Sequence, residues 1–329
     1  MQYELAPLEG VTTHVLRRAH RALFPPPDRY FTPFLALTQN HVFSPREQAE
    51  IAQPHLDGVP VIPQLLAGNA GDFLWAARAL AEKGFAQVNL NMGCPSGTVV
   101  NKGKGAGMLR DTDALRAFCD AVFEKTPVRI SIKTRLGLFD AQEFEEIASV
   151  LRDYPVCELI VHPRVRAAYY GGAPDIEAFA RVLDAFPAPV SYNGDLFCAR
   201  DVRAFEKRFP QAETVMLGRG ALANPAIFGE LRGGMPLARE QLFRYCEWIE
   251  QGYIDEMGAG NALGRLKELW IYLAGAFSGI RRQEKVIRKA RHIGEYREAV
   301  RSIFDNAPLA DPAGYRREGF ESIWAAMDA

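Results

Sequence analysis

Five cysteines in 329 residues, at positions 94, 119, 157, 198 and 246, include no CxxC pair and no Cys/His cluster. That spacing excludes a zinc ribbon, an iron–sulfur cluster and a disulfide framework, so no metal is expected and the thiols should be reduced. No apolar run approaches the ~20 residues of a membrane span, and the start MQYELAPLEG lacks the basic stretch and apolar segment of an export signal. The chain therefore reads as cytoplasmic, without membrane contact, and is expected to be monomeric. Charge of one sign is missing too. Thirty-nine Lys and Arg against forty Asp and Glu give a net charge of −1, so a polyanionic partner would have to be held by a local patch rather than by the field of the whole molecule.

What is present is alternation. Eight short aliphatic or β-branched runs, YELAP, YFTPFLAL, VPVIPQLL, AQVNLN, VRISIKT, CELIVH, APVSYN and TVMLG, are separated by longer amphipathic segments. These segments carry helix-start signals such as Ser44-Pro45-Arg46-Glu47, a capping box with proline at its first position, and Asp140 with Glu143. Strands too apolar to be half-exposed, repeated eight times with helices between, predict a (β/α)8 TIM barrel of the α/β class. Barrel active sites lie at the C-terminal ends of the strands. The polar residues there are Glu9, Gln39, Gln64, Asn91 with Cys94, Lys133 with Arg135, His162 with Arg164, Asn193 with Asp195, and Arg219.

The break RGGMP ends the barrel, giving an expected division into residues 1–232 and 237–329. The second part has no strand alternation and is predicted to be an all-α helical bundle. Between Arg265 and Arg301 it holds ten basic residues against four glutamates. With Trp270, Tyr272 and Tyr296 nearby, this stretch is either a solvated helix face or a surface for nucleic acid.

Five stretches carry chemistry. LNMGCPSG, residues 90–97, sets Cys94 between Gly93 and Pro95, which forbid regular structure, so the thiol belongs to a loop at a strand end. There it can act as nucleophile or, kept protonated, as general acid. The turns NGD at 193–195 and LGRGALANP at 217–225 offer Gly194, Gly218, Gly220 and Arg219, the makings of a phosphate site after strands seven and eight. Lys133 and Arg135 share one strand face; an inward lysine there either meets an anion or forms a Schiff base. The loop VNKGKGAGML, 100–109, is read as a mobile basic lid or as a plain flexible connection.

Taken together, LAPLEGVT (5–12), QLLAGN (64–69), VNLNMGCPSGTVVNKGKGAGMLRD (88–111), SIKTRLG (131–137), IVHPR (160–164), YNGD (192–195) and VMLGRGALANPAIF (215–228) resemble, in order, the motifs of the tRNA-dihydrouridine synthases. Glu9 and KTRLG lean toward that family's C-type branch. The resemblance implies bound FMN, reduction of FMN by NADPH or NADH, and tRNA as the substrate, with the helical part binding the tRNA. It further implies that Pro7, Leu8, Glu9 and Gln64 line the flavin ring, that Lys133 and His162 approach its ring or phosphate, and that Asn193, Gly194, Asp195, Gly218 and Arg219 take the phosphate. Cys94 would be the proton donor, and Asn91, Arg135 and Tyr170 would contact uracil. Two departures stand out: Gly97 where the family commonly has lysine, and PRVRAAYYGG after His162. The competing readings are an FMN-dependent reductase of small pyrimidines or enes, a tRNA-binding protein whose catalysis has decayed, and a Schiff-base aldolase using Lys133.

Overall fold

Strands buried on both faces need partners on both edges, and a ring of parallel strands satisfies all of them. The computed structural model describes residues 1–316 and 322–324, so the end of the expected 237–329 part, residues 317–321 and 325–329, lies outside the described residues. Its strands are β1 (Gln2–Leu5), β2 (Arg29–Phe31), β3 (Leu35–Ala36), β4 (His55–Leu56), β5 (Val59–Ile62), β6 (Gln64–Leu66), β7 (Gln87–Met92), β8 (Arg129–Gly137), β9 (Glu158–Val165), β10 (Val190–Tyr192) and β11 (Thr214–Leu217). They run in the order β3-β6-β7-β8-β9-β10-β11-β1-β2-β5-β4.

Two prolines split two of the eight expected staves, and a hairpin strand outside the ring, β4, makes eleven. Pro33 separates β2 from β3 and Pro63 separates β5 from β6, because proline cannot donate to the ladder. Each split stave still pairs parallel with its neighbour on both sides of the break, β2 with β5 and β3 with β6. The two ends of the strand order are thus the same pair of staves, and the sheet closes as a (β/α)8 barrel. β4 stands outside the ring, paired antiparallel to β5 across the turn Asp57-Gly58, where both residues take positive φ (47° and 86°) as an Asp-Gly hairpin requires.

Helices between the staves start where their caps stand. Ser44 accepts from Glu47 N while Glu47 reaches back to Ser44 N, and Asn69, Asp111 and Asp175 cap the helices Ala70–Glu82, Thr112–Lys125 and Ile176–Ala185. Glu143 opens its helix by turning its carboxylate onto the N–H groups of Leu138, Phe139 and Asp140.

The chain divides into two compact units. One, of Met1–Pro7, Asp28–Gly194 and Pro210–Met216, carries the sheet. The other joins Leu8–Pro27 and Asp195–Phe209 to everything from Leu217 onward. In it the helix His14–Leu23 meets the long helix Arg239–Leu273, which breaks at Gly258 (φ 77°), through a Thr13–Tyr253 hydroxyl contact of 2.7 Å. Helices Arg281–Lys289 and Ile293–Asn306 complete the bundle.

Two of the three aromatics near the basic stretch do not serve a nucleic-acid surface. Trp270 and Tyr296 are 3% and 2% exposed, and the indole N–H of Trp270 donates to the Tyr296 hydroxyl at 2.9 Å. Both are core residues. The GKG loop is likewise not a free lid: residues 97–100 and 105–110 form helical turns, Ala106 N donates to Cys94 O, and Lys104 Nζ donates to Leu37 O at 2.6 Å.

Candidate active site

The barrel interior is polar in its middle. Asn91 Nδ2 donates to Gln64 Oε1 (2.8 Å), Gln64 Nε2 to Asn89 Oδ1 (2.8 Å), and Asn89 Nδ2 to Ser131 Oγ (3.0 Å). Gln87 joins the same hydroxyl at 3.1 Å. These side chains are almost wholly buried, so each amide has to find its partners inside the protein.

The chain of amides ends on the thiol loop. Asn91 Oδ1 accepts from the backbone N–H of Gly93 (3.1 Å) and of Cys94 (2.9 Å), which fixes the turn that follows β7. On either side of the thiol an arginine holds a carbonyl. Arg135 Nε donates to Gly93 O (3.0 Å), and Arg166 Nε donates to Pro95 O (3.1 Å). Gly105, at φ +55°, backs the loop so closely that a Cβ there would lie 2.9 Å from Cys94 Cβ.

β8 supplies the cations. Its register sets Lys133 opposite Asn91 on one side, and Arg135 opposite His162 on the other. Lys133 Nζ donates to Asn193 Oδ1 (2.7 Å), and Asn193 Nδ2 in turn donates to Met216 O (2.8 Å), so three strand ends are tied together. Burial, with Arg135 adding repulsion, lowers the Lys133 ammonium to about 7. Burial likewise lowers Arg135 to about 10. Its guanidinium lies 5.5 Å from the ring centre of Tyr170, whose ring is 6.2 Å from that of His162.

His162 is held in one tautomer. Arg164 can only donate, and its Nη1 lies 3.0 Å from His162 Nε2, so that nitrogen carries the lone pair and the proton sits on Nδ1. Arg164 is itself spent on the carbonyls of Gly171 (3.3 Å) and Gly172 (2.6 Å). Gly194 is a position of close approach, since a Cβ there would meet Tyr192 Oη at 3.2 Å and His162 Cδ2 at 3.3 Å. Pro7 is half-buried at the end of the segment that follows β1.

The remaining expected site residues fall in the second unit. Leu8 starts a turn closed by Thr12 Oγ1 (2.8 Å), and Glu9 on that turn is exposed. Asp195 (φ 46°) is buried and accepts from Arg219 Nη2 at 2.5 Å. Gly218 immediately precedes the short helix Arg219–Ala223. The Arg219 guanidinium lies 4.9 Å from the Phe197 ring centre and 5.0 Å from that of Tyr315, a clamp that nothing in the motif spacing announced. Gln39, the remaining strand-end residue, lies exposed beyond β3.

The model of the dihydrouridine synthase (Dus) family matches residues 4–301. The chain belongs to that family. Among its relatives, the probable tRNA-dihydrouridine synthase 1 of Synechocystis is 31% identical over 69% of this chain and 63% of its own length. The tRNA-dihydrouridine(16) synthase of Neisseria meningitidis is 28% identical over 65% and 66%. For these two the matched part is less than two thirds of the relative. That of Ralstonia nicotianae is 28% identical over 84% of this chain and 90% of its own length. The old yellow enzyme homologue of Zymomonas mobilis shares the barrel, with a TM-score of 0.54, 13% identity, and 74% and 92% of the two chains covered.

In this dihydrouridine synthase family member burial raises the pKa of the other four thiols, pushing Cys119 up to about 12 and Cys157 to about 11. Among the described residues no group of three or more His, Cys, Asp or Glu could hold a metal, and no helix is long and apolar enough to cross a membrane. Sequence reasoning missed a buried charge cluster in the barrel. Arg29 bonds Glu4 and Glu158, and Ser191 Oγ donates to Glu158 Oε1 at 2.5 Å. Burial and the neighbouring Glu158 raise the Glu4 carboxyl well above its ordinary range. A charge in the midst of the apolar run YELAP was the available signal.

Proposed function

We propose that this protein is a tRNA-dihydrouridine synthase that reduces the C5–C6 double bond of uridine in tRNA, with bound FMN as cofactor and NADPH or NADH as reductant. The observation that carries the reading is the thiol loop. Cys94 is fixed by Asn91 and flanked by two arginine-bound carbonyls, on the loop that follows the strand next to that of the half-buried Lys133. Membership of the family and the names of the relatives support the same reading.

The residues at the strand ends fit a flavin. A half-buried ammonium whose charge burial disfavours is matched to an anionic partner, and the carboxamide of Asn193 already aims it. Pro7, Leu8, Glu9 and Gln64 are assigned to the ring, Lys133 and His162 to its polar edge, and Asn193, Gly194, Asp195, Gly218 and Arg219 to the phosphate. When bound, FMN supplies the hydride for uracil C6.

Everything else falls to the chain. Addition at C6 builds negative charge at C5, and the Cys94 thiol gives C5 its proton; the thiolate left behind regains one from solvent. Arg135 and Tyr170, stacked on each other beside Gly93, are assigned with Asn91 to the uracil itself.

The target base must leave the RNA stack, which costs a few kcal/mol. A basic surface to offset that is present in the second unit. Arg282, Lys285, Lys289 and Arg291 line a depression of about 450 Å³ together with Val286, Ala290 and Glu295. The reading carries a cytoplasmic location and a monomeric enzyme. The test is the flavin spectrum: the oxidised band, bleached anaerobically by NADPH, returns on adding unmodified tRNA and not on adding free uridine. A band that stays bleached with tRNA, or is absent in purified protein, overturns the proposal.

A further inference from the structure

The two arginines that straddle Cys94 are alike in a second respect, for each carries a tyrosine. Arg135 stacks on Tyr170, and Arg166 stacks on Tyr169 at 5.1 Å while its Nη2 donates to the Tyr169 hydroxyl at 3.1 Å. Arg135 and Tyr170 have a role in the reading above. Arg166 there holds only Pro95 O, and Tyr169 has no role.

Tyr169 stands where glycine would be easier. The turn Ala168–Gly171, closed by Gly171 N to Ala168 O at 2.7 Å, puts Tyr169 at φ 48° and ψ −102°, the first central position of a type II′ turn. A side chain there is strained, yet Tyr169 stays 44% exposed. Arg166 lies over the ring, and the residue remains open to solvent. The guanidinium is pinned to Pro95 O, and beside it Gly97 leaves open ground: a Cβ on Gly97 would be 3.8 Å from Arg166 Nη2.

An open aromatic face with a fixed cation next to it is the pairing that holds a nucleotide, the ring stacking a base and the guanidinium taking a phosphate. We infer that Tyr169 and Arg166 form a second nucleotide contact, which holds the RNA residue adjacent to the target uridine. This rests on the synthase reading. The geometry favours RNA because the contact shares the Cys94 loop, so a nucleotide held there is a chain neighbour of the base over the thiol.

Tyr169→Gly is the decisive variant, since glycine takes this φ without cost and should leave the melting temperature equal or higher. Arg166→Gln also loosens the loop at Pro95, so it serves only as support. With the flavin-loaded full chain, the expected result is a roughly ten-fold or larger rise in both the tRNA Kd, read by fluorescence anisotropy, and the tRNA concentration that half-saturates flavin reoxidation. Tyr169→Phe, which keeps the ring, should stay within about three-fold of wild type. The NADPH dependence of bleaching should not move. Wild-type tRNA affinity in Tyr169→Gly overturns the inference. So does an NADPH dependence that shifts while the tRNA terms stay put, which would assign the ring to the reductant. If wild type itself is not reoxidised by tRNA, the synthase reading falls and takes this contact with it.

Discussion

Lys133→Met tests whether the strand-end cation is a liability to the flavin-free protein. The ordinary lysine pKa is ~10.4, whereas in the fold burial and Arg135 hold Lys133 near 7. Below about 7 the ammonium is charged in both folded and unfolded chains. Between about 7 and ~10.4 the unfolded chain holds a proton that the folded chain has released, so wild-type stability rises with pH across that window. The slope limit is about 1.4 kcal/mol per pH unit, or about 5 kcal/mol over the whole window. The group is half-buried, so solvent screens part of this and about 2 kcal/mol is the working expectation. Methionine has no proton to lose. Losing the bond to Asn193 costs the variant about 1 kcal/mol at every pH. Urea unfolding of both flavin-free proteins at pH 6, 7.5 and 9 should therefore show Lys133→Met most favoured at pH 6 and progressively overtaken by wild type. Stability curves that stay parallel across these pH values refute the argument that burial disfavours this charge. In the same variant, flavin affinity should fall.

Cys94→Ala should leave bleaching by NADPH intact while dihydrouridine formation drops by roughly 10²–10⁴-fold, the usual worth of a positioned acid; mass spectrometry of the tRNA reads it. Gly105→Ala places a Cβ 2.9 Å from both Cys94 Cβ and Val99 Cγ1 at a φ of +55°, so a loss of about 1–3 kcal/mol is expected in urea unfolding, with faster thiol labelling as the Cys94 loop shifts. Burial raises the Glu4 carboxyl, so Glu4→Gln, which removes the charge and keeps the shape, should cost less in urea unfolding than Glu158→Gln. The double variant Glu4→Gln, Glu158→Gln strands Arg29 without a carboxylate and should cost more than the two single losses combined, by about 1 kcal/mol or more.

Eight staves were legible because parallel strands buried on both faces read as continuous apolar runs. YFTPFLAL and VPVIPQLL read as unbroken, and the signal passed over was Pro33 and Pro63, which interrupt the ladder without ending the stave. The site was legible wherever chemistry and covalent geometry coincide, as at Cys94 between glycine and proline. It was illegible where a side chain's partner is far away in sequence. Nothing near Arg166 indicates Pro95, and nothing near Arg219 indicates Tyr315. Trp270 and Tyr296 were a different failure. Leu263, Leu266 and Trp270, like Tyr296, Val300 and Ile303, follow helical spacing and are all buried. Period was the better guide there, and residue type outweighed it.

The amides within the barrel all point one way. From Asn91 through Gln64 and Asn89 to Ser131, each carboxamide donates toward the next and accepts from the one before. Such a row behaves like interlocked gears: no member turns over alone, since a flipped amide would face oxygen to oxygen on one side and N–H to N–H on the other. The sense of the whole row is set at Asn91, whose Oδ1 meets the backbone N–H groups of Gly93 and Cys94, which can only donate; Ser131, a hydroxyl able to take either role, follows by accepting from Asn89 and Gln87 and donating to Val88 O. The backbone of the reactive loop therefore decides which way every amide turns as far as the buried Ser131, and the orientation of the row is written at its thiol end.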